Sequence, residues 1–360
     1  MVPVNTTKAF ASFFGLEEYA DQIVYDITLY KISYHSTYRD EAVLASGLIA
    51  VPTGKEGIFP LLSAHHGTIF SNADAPSNFN IPSNVSGFEL LASLGYITLI
   101  PDYLGYGASQ NLLHPYYDFE HTAGAIIDFI QAAKEFLPEI DVEENGQLFL
   151  FGYSEGGYTT VAALRAIEEN PALDLKVTAA AAGAGGYDIV NMVEQISSWK
   201  TYTYPAYLAL VISAYNTTNQ WNRPLTDFFQ EPYASRLENL LDGSQGGSAI
   251  NAQLNDTLEE LFNPVFLTGL KEGSETTVIE AFRVNSVHNW NPRTPLRLYH
   301  EQDDEIIPIT NSASTFAQMQ DNGSSQVAYF PFDEADSHST GFQPMLEHVI
   351  SWFESLKETP

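Results

Sequence analysis

Residues 152–157 read GYSEGG and place a serine in the G-x-S-x-G pattern of a nucleophile elbow. The apolar residues 147–151 before it predict a buried strand, and residues 158–166 after it carry apolar side chains at helical spacing. A serine hydroxyl is a weak nucleophile until a base takes its proton, and a sharp strand-to-helix turn presents the hydroxyl to that base. The pattern therefore predicts that Ser154 is a nucleophile, the alternative being a turn that is rich in glycine for packing alone.

A serine nucleophile needs a base and an acid that orients the base. His338 directly follows the last predicted strand, so its imidazole is expected at the sheet edge that carries the elbow. Asp304 follows the penultimate predicted strand, and the chain order Ser, Asp, His is typical of enzymes with a nucleophile elbow. From the residues alone, Asp303 remains an alternative acid, and His348, inside a predicted helix, is a weaker alternative base.

Backbone donors for an oxyanion are expected at two places. The predicted helix after Ser154 begins with free N–H groups, and that of Glu155 is expected to be one donor. Residues 65–68 (HHGT) follow another predicted strand, and their glycine allows the backbone to approach a ligand closely. The N–H of Gly67 or Thr68 therefore suits the second donor.

Composition excludes several classes of protein. The net charge is −30 and only 15 residues are Lys or Arg, which argues against nucleic acids and anionic membrane surfaces as partners. The absence of cysteine excludes disulfides and thiolate metal sites. Adjacent strand residues point to opposite faces, so His65 and His66 are not expected to share a metal ion. No metal or organic cofactor is predicted.

Apolar patterning predicts where the chain lies relative to membranes and compartments. No run approaches 18 uncharged apolar residues, so no membrane span is predicted. The first residues lack the apolar core of a signal peptide. The sequence leaves open a cytoplasmic protein or a secreted or periplasmic domain whose leader is not in this chain, and it leaves the oligomeric state open.

Strand and helix patterns alternate along most of the chain. A β-hairpin is predicted over residues 26–38 and 42–51. Further strands are predicted at residues 59–64, 96–100, 147–151, 177–182, 295–299 and 327–331, and helices at 87–94, 122–137, 158–166 and 341–357. This alternation predicts an α/β fold with a mainly parallel central sheet flanked by helices.

One segment, about residues 187–291, interrupts this alternation with helical patterns alone. We expect it to form a helical lid or cap over the strand ends, inserted into a core made of residues 1–186 and 292–360. Its residues 199–215 are rich in Tyr, Leu, Ile and Val, and a helix over 206–215 would be apolar around much of its circumference. The alternative is that this helix is core between lid and sheet. The residues expected to contact substrate are His66, Tyr153, Tyr207 and Val211.

The chain resembles the α/β-hydrolase superfamily and, within it, the secretory-lipase-like esterases of bacteria and fungi. The resemblance is carried by residues 101–107 (PDYLGYG), 152–157 (GYSEGG), 285–292 (NSVHNWNP) and 300–308 (HEQDDEIIP). It covers the chain from about residue 42 to the C-terminus, with a weaker match in the insertion. It implies an α/β-hydrolase fold and a serine carboxylesterase or lipase that acts through an acyl-enzyme, on a small-molecule ester with an apolar acyl or alcohol group.

The resemblance also implies roles for individual residues. It places the catalytic acid at Asp304, four residues before Pro308, in a triad with Ser154 and His338. The chain departs from the family pattern at Glu301, where glycine is usual, and at Glu155, where glutamine is commoner. The alternative functions are a serine peptidase of the aminopeptidase type, a transacylase on the same fold, and a non-catalytic binding protein on a hydrolase scaffold.

Overall fold

The computed structural model describes residues 1–11, 17–80 and 84–358. In this part of the chain, eight strands form one sheet in the order β1-β2-β4-β3-β5-β6-β7-β8. The strands are β1 (Asp26–Tyr38), β2 (Glu41–Thr53), β3 (Phe59–His65), β4 (Ile97–Pro101), β5 (Glu144–Tyr153), β6 (Val177–Gly183), β7 (Leu296–Glu301) and β8 (Val327–Phe332).

The sheet is antiparallel at one edge and parallel elsewhere. β1 and β2 form the predicted hairpin, whose two turn residues, Arg39 and Asp40, both have positive φ angles (53° and 63°), as a two-residue hairpin turn requires. β2 pairs antiparallel with β4, and the six strands β3 to β8 are mutually parallel. The predicted α/β fold with a mainly parallel sheet is confirmed.

Helices cover both faces of the sheet, as its parallel strands require. The α-helices of the described residues are α1 (Val4–Ala11), α2 (Phe119–Phe136), α3 (Glu155–Glu169), α4 (Ile189–Ser198), α5 (Pro205–Thr218), α6 (Leu237–Leu240), α7 (Gly247–Asn251), α8 (Leu258–Leu261), α9 (Pro264–Glu272), α10 (Thr276–Asn285), α11 (Ile309–Asp321) and α12 (Phe342–Leu356). The predicted helix at 87–94 is a 3-10 helix, Phe88–Leu94.

The core consists of two apolar clusters, one on each face of the sheet. Successive residues of β5 alternate between them: Leu148 and Leu150 pack in one cluster with α2 and α3, and Phe149 and Phe151 pack in the other with α12. This burial on both faces explains why residues 148–151 of β5 form a continuous apolar run. The elbow that follows β5 is therefore fixed by packing from both sides.

Residues 187–291, all of which the structure describes, lie between β6 and β7 and contain helices α4 to α10. Their only strand-like pairings are two isolated bridges, Thr201 with Thr257 and Phe229 with Phe262. The buried apolar residues of the insertion are continuous with the cluster that contains Leu148 and Leu150. Among them, the rings of Phe228 and Phe266 meet edge to face at 5.1 Å. Its helical character is as predicted, and its role as a lid remains a proposal.

Candidate active site

The candidate nucleophile occupies a strained turn between β5 and α3. Ser154 has φ 60° and ψ −124°, a conformation that residues with a side chain rarely adopt. The turn is tight because backbone passes close on two sides: a Cβ on Gly156 would lie 1.9 Å from the His65 carbonyl oxygen, and one on Gly152 would lie 2.2 Å from that of Gly156. Both neighbours of Ser154 in sequence are buried, whereas Ser154 itself is partly exposed.

Three side chains from separate parts of the chain meet at this turn. The His338 Nε2 atom lies 2.8 Å from Ser154 Oγ, and its Nδ1 atom lies 2.6 Å from Asp304 Oδ2. A carboxylate only accepts hydrogen bonds, so the Nδ1 atom of His338 carries the proton and the Nε2 lone pair faces the serine hydroxyl. The structure thus brings Asp304 to His338, and it leaves the side chain of the alternative acid Asp303 exposed.

Asp304 is held in its ionised form by its surroundings. Its Oδ1 atom accepts hydrogen bonds from the backbone N–H groups of Ile306 (2.9 Å) and Ile307 (2.8 Å), and its Oδ2 atom also lies 3.1 Å from His300 Nε2. Burial alone would raise the pKa of Asp304, but the hydrogen bonds from His300 and His338 outweigh burial and lower this pKa below its usual value. The carboxylate is therefore a fixed negative charge behind the His338 ring.

The backbone of His338 is held on both sides as well. Its N–H donates to Glu305 Oε2 at 2.9 Å, and its carbonyl accepts from the hydroxyl of Tyr153 at 2.7 Å. The structure buries the Tyr153 side chain against His338, and the expected contact of Tyr153 with substrate remains a proposal.

The segment from His66 to Ile69, the candidate oxyanion segment, passes beside the elbow. A Cβ on Gly67 would lie 3.7 Å from the Cβ of Ser154. The backbone N–H groups of Gly67, Thr68 and Glu155 donate to no acceptor in the described residues, so all three expected oxyanion donors are free.

Tyrosine hydroxyls fix the position of this segment. The Tyr103 hydroxyl donates to the carbonyl of His66 at 2.9 Å, and the Tyr106 hydroxyl donates to the carbonyl of Ile69. Both tyrosines belong to the PDYLGYG motif, residues 101–107, which thereby supports the candidate oxyanion segment. Asp102 of the same motif is fully buried and accepts hydrogen bonds from the hydroxyl of Ser46 and the backbone of Ser77.

His66 is part of the same support. Its ring stacks on Tyr103 with 4.2 Å between centroids, and its Nδ1 atom donates to the Gly67 carbonyl at 2.7 Å. Burial lowers the pKa of His66, so the ring is neutral, and its Nε2 atom has no partner among the described residues. The role of His66 as a substrate contact remains a proposal. His65 points away into the core, bonded to Ser63 and Thr160, and burial lowers its pKa to about 3.

Tyr207 and Val211, the two residues of the insertion that are expected to contact substrate, lie in different surroundings. Tyr207 is partly exposed and stacks on Phe70, which follows the candidate oxyanion segment, with 5.6 Å between centroids. Val211 instead lines a small apolar cavity together with Ile196, Phe262 and other side chains of the insertion. No contact among the described residues links Val211 with Ser154, so the structure brings only Tyr207 towards the site.

Sequence reasoning missed three residues that shape the site. They are His300 and Glu305, which lie within a motif but have no predicted role, and His114, whose Nε2 atom lies 2.6 Å from the carboxylate of Glu155. His300 alone had a local signal, four residues before Asp304; the other two contacts join residues 33 and 41 positions apart.

Neither a metal centre nor a membrane helix is evident in the described part of the chain. No group of three or more His, Asp or Glu side chains there is arranged to hold a metal ion. No helix there is both long enough and apolar enough to cross a membrane.

Comparison with known proteins assigns the chain that carries this site to a family. The model of the secretory lipase family matches residues 85–355, which is most of the chain and includes Ser154, Asp304 and His338. The chain belongs to the secretory lipase family. It is therefore an ester hydrolase of the lipase and esterase class. A comparison with curated proteins found no match.

Solved structures agree with the family in fold. The chain is similar to a proposed hydrolase from Legionella pneumophila, with a TM-score of 0.88 and 25% identity over 99% of this chain and 95% of that one. It is similar to the rice cell wall degrading esterase LipA from Xanthomonas oryzae (TM-score 0.84, 24% identity, 99% and 93% coverage). Candida antarctica lipase A is more distant (TM-score 0.69, 15% identity, 93% and 79% coverage). The α/β-hydrolase fold predicted from the sequence is confirmed.

Proposed function

We propose that the protein is a serine carboxylesterase that hydrolyses esters through a covalent acyl-enzyme on Ser154. The observation that carries this proposal is the unbroken relay from Ser154 Oγ through both nitrogens of His338 to Asp304, with distances of 2.8 and 2.6 Å. Each partner has the protonation state that the relay needs, because Asp304 is held ionised and fixes the tautomer of His338. The strained elbow exposes the hydroxyl and buries its neighbours.

The proposed first half-reaction forms a bond between Ser154 Oγ and the ester carbonyl carbon. His338 Nε2 takes the hydroxyl proton as the bond forms, and Asp304 stabilises the resulting imidazolium. The carbonyl oxygen becomes an oxyanion and is held by the free N–H of Glu155 together with that of Gly67 or Thr68. His338 then returns the proton to the departing alcohol, which leaves the acyl group on the serine.

In the proposed second half-reaction, water replaces the alcohol. His338 takes a proton from water as its oxygen attacks the acyl carbon, and the same backbone donors hold the second oxyanion. Collapse of this intermediate breaks the bond to Ser154, whose oxygen recovers the proton. The product is a carboxylic acid, and no further group is consumed.

Space for the larger part of an ester lies between the insertion and the core. A cavity of about 580 Å³ is lined by Tyr106 and His114 from the core and by Leu210 and Leu225 from the insertion. His114 both lines this cavity and contacts the side chain of Glu155, the residue next to the nucleophile. We infer that residues 187–291 act as a lid whose contacts with the core define the acyl or alcohol pocket.

A panel of p-nitrophenyl esters, from acetyl to palmitoyl, assayed beside aminoacyl p-nitroanilides tests this function. We expect ester hydrolysis that Ser154→Ala abolishes and little release of p-nitroaniline. Preferential cleavage of the anilides would favour the peptidase, and loss of neither activity in the alanine variant would contradict serine catalysis. The family's description also leads us to propose a secreted or periplasmic location, which fractionation of the producing cells would test.

A further inference from the structure

A buried contact joins the side chains of Glu155 and His114. The Oε1 atom of Glu155 lies 2.6 Å from Nε2 of His114, and their side chains are only 4% and 5% exposed. Glu155 is also the residue whose backbone N–H is expected to hold the oxyanion. Its carboxylate is therefore attached to the group that must stabilise a developing negative charge.

Hydrogen-bond chemistry requires that this pair hold a proton. The Nδ1 atom of His114 lies 2.6 Å from the carbonyl oxygen of Leu104, which only accepts, so Nδ1 carries a hydrogen. Without a second proton, the Nε2 lone pair would face a carboxylate oxygen at 2.6 Å, which is repulsive. One proton must therefore lie between Nε2 and Oε1, and the pair as a whole is electrically neutral.

The fold is arranged to allow this contact. Gly105 has φ 93°, and a Cβ there would lie only 2.5 Å from the Cα of His114. A side chain at position 105 would thus displace His114 from Glu155.

The other titratable groups around Glu155 cannot supply a positive charge. They are the phenols of Tyr103, Tyr106, Tyr116, Tyr117 and Tyr207 and the imidazole of His66. Burial first, and the charge of Glu155 second, raise the pKa of Tyr103 and Tyr106 far above its usual value, so both remain neutral. Burial lowers the pKa of His66, so its ring is neutral too.

We propose that His114 is a positioning residue that cancels the charge of Glu155 and so keeps the oxyanion donor effective. This inference rests on the proposed function. With His114 removed, a bare carboxylate lies next to the oxyanion and opposes its formation. The charge acts only as the oxyanion develops, so the effect falls on kcat and leaves KM for a small ester nearly unchanged.

Three variants test the proposal in assays of a short p-nitrophenyl ester at about pH 8, where an ordinary histidine is neutral. We expect His114→Ala to lower kcat about thirtyfold, the scale of one unit charge acting across about 8 Å at an effective dielectric constant of ~20. Glu155→Gln, which removes the carboxylate and keeps the backbone N–H, is the reference for the double variant. The double variant, His114→Ala with Glu155→Gln, is expected within about fivefold of Glu155→Gln, because the charge is gone.

The double variant separates charge from packing. If His114 only fills space, the double variant is as slow as His114→Ala, and the proposal is overturned. If His114→Ala does not fold, the comparison of the double variant with Glu155→Gln still decides between a small and a large loss. A wild type that hydrolyses no ester, or an active Ser154→Ala variant, would contradict the proposed function instead. An active wild type, an inactive Ser154→Ala variant and a slow double variant would contradict this inference alone.

Discussion

The backbone N–H of His338 donates to the carboxylate of Glu305 at 2.9 Å, while the adjacent Asp304 holds the His338 ring at 2.6 Å. Two consecutive acidic residues after β7 thus fix both the backbone and the imidazole of the candidate base. Because Ile306 and Ile307 donate to Asp304 in turn, the loop itself is rigid where it meets His338. The acidic run in the sequence is in this respect a scaffold for the base and not merely a solvated surface.

Glu305→Ala is expected to lower kcat for a short ester about tenfold, since a lost charge-assisted hydrogen bond of about 1.5 kcal/mol frees the His338 loop. Glu305→Gln retains an amide oxygen that can accept, so its loss is expected to be smaller. Asp303→Ala is the matched control, because its side chain is exposed and does not contact His338. Equal kcat values for the variants at positions 303 and 305 would show that the contact with Glu305 does not support the base.

Tyr153→Phe removes only the hydroxyl that donates to the carbonyl of His338. We expect kcat to fall about fivefold and KM to stay within twofold, the effect of one net hydrogen bond of about 1 kcal/mol on the base. Steady-state kinetics with acetyl and octanoyl esters measure this. A large rise in KM with kcat unchanged would instead indicate that Tyr153 contacts the substrate and does not act through His338.

Asp304 is expected to link stability to pH. Its pKa is lowered in the folded protein, so the ionised carboxylate stabilises the fold above its unfolded pKa of about 3.9, and this stabilisation is lost as the pH falls below that value. The free energy of unfolding of the wild type is expected to exceed that of Asp304→Asn by on the order of 2 kcal/mol at neutral pH, and by less near pH 3. Urea unfolding of both proteins at several pH values measures this difference.

The Asp303→Asn variant serves as the control for that experiment, because it removes an exposed carboxylate from the same loop. Its stability is expected to follow the wild type at every pH. Asp304→Asn is also expected to lose far more esterase activity than Asp303→Asn. A constant stability difference across the pH range would mean that the pKa of Asp304 is not lowered by folding.

Tyr207 and Val211 lie on one helix in different surroundings and offer a paired test of the lid. Tyr207→Ala is expected to change the ratio of kcat/KM for long and short esters, because the ring stacks on Phe70 beside the candidate oxyanion segment. Val211→Ala is expected to leave this ratio unchanged and to lower stability by about 1–2 kcal/mol, since its side chain is buried within the insertion. Ester assays and thermal unfolding distinguish these outcomes. A changed ratio of kcat/KM for long and short esters in Val211→Ala would indicate that the substrate pocket includes Val211.

The fold was largely predictable because local sequence patterns predict most of its strands. Burial on both faces makes residues 148–151 of β5 a continuous apolar run, and helix α12 has a single apolar stripe that packs on the sheet. Helix α11 (Ile309–Asp321) was not predicted, because its buried positions include Asn311, Ser312 and Thr315, which give no apolar period. Helix α2 begins at Phe119, earlier than expected, because the Asp118 side chain caps it through the N–H of His121.

The site was predictable only where its residues carry a motif. Ser154, Asp304 and His338 each follow a strand, so parallel topology brings them to one edge, and the structure places them within hydrogen-bond distance. The contacts of Glu305 with His338 and of His114 with Glu155 depend on loop paths that no local pattern encodes. The sequence also could not predict which way Val211 points, because a helix that is apolar on most sides does not indicate which side faces the substrate.

The most direct test of the account is to locate the acyl-enzyme bond. The wild-type protein is treated with a fluorophosphonate, digested, and analysed by mass spectrometry, with Ser154→Ala as the control. We predict that the label is found on Ser154 alone, that labelling abolishes ester hydrolysis, and that the alanine variant is folded, unlabelled and inactive. A label on another serine, or an alanine variant that hydrolyses esters at the wild-type rate, would contradict the proposal that Ser154 is the nucleophile.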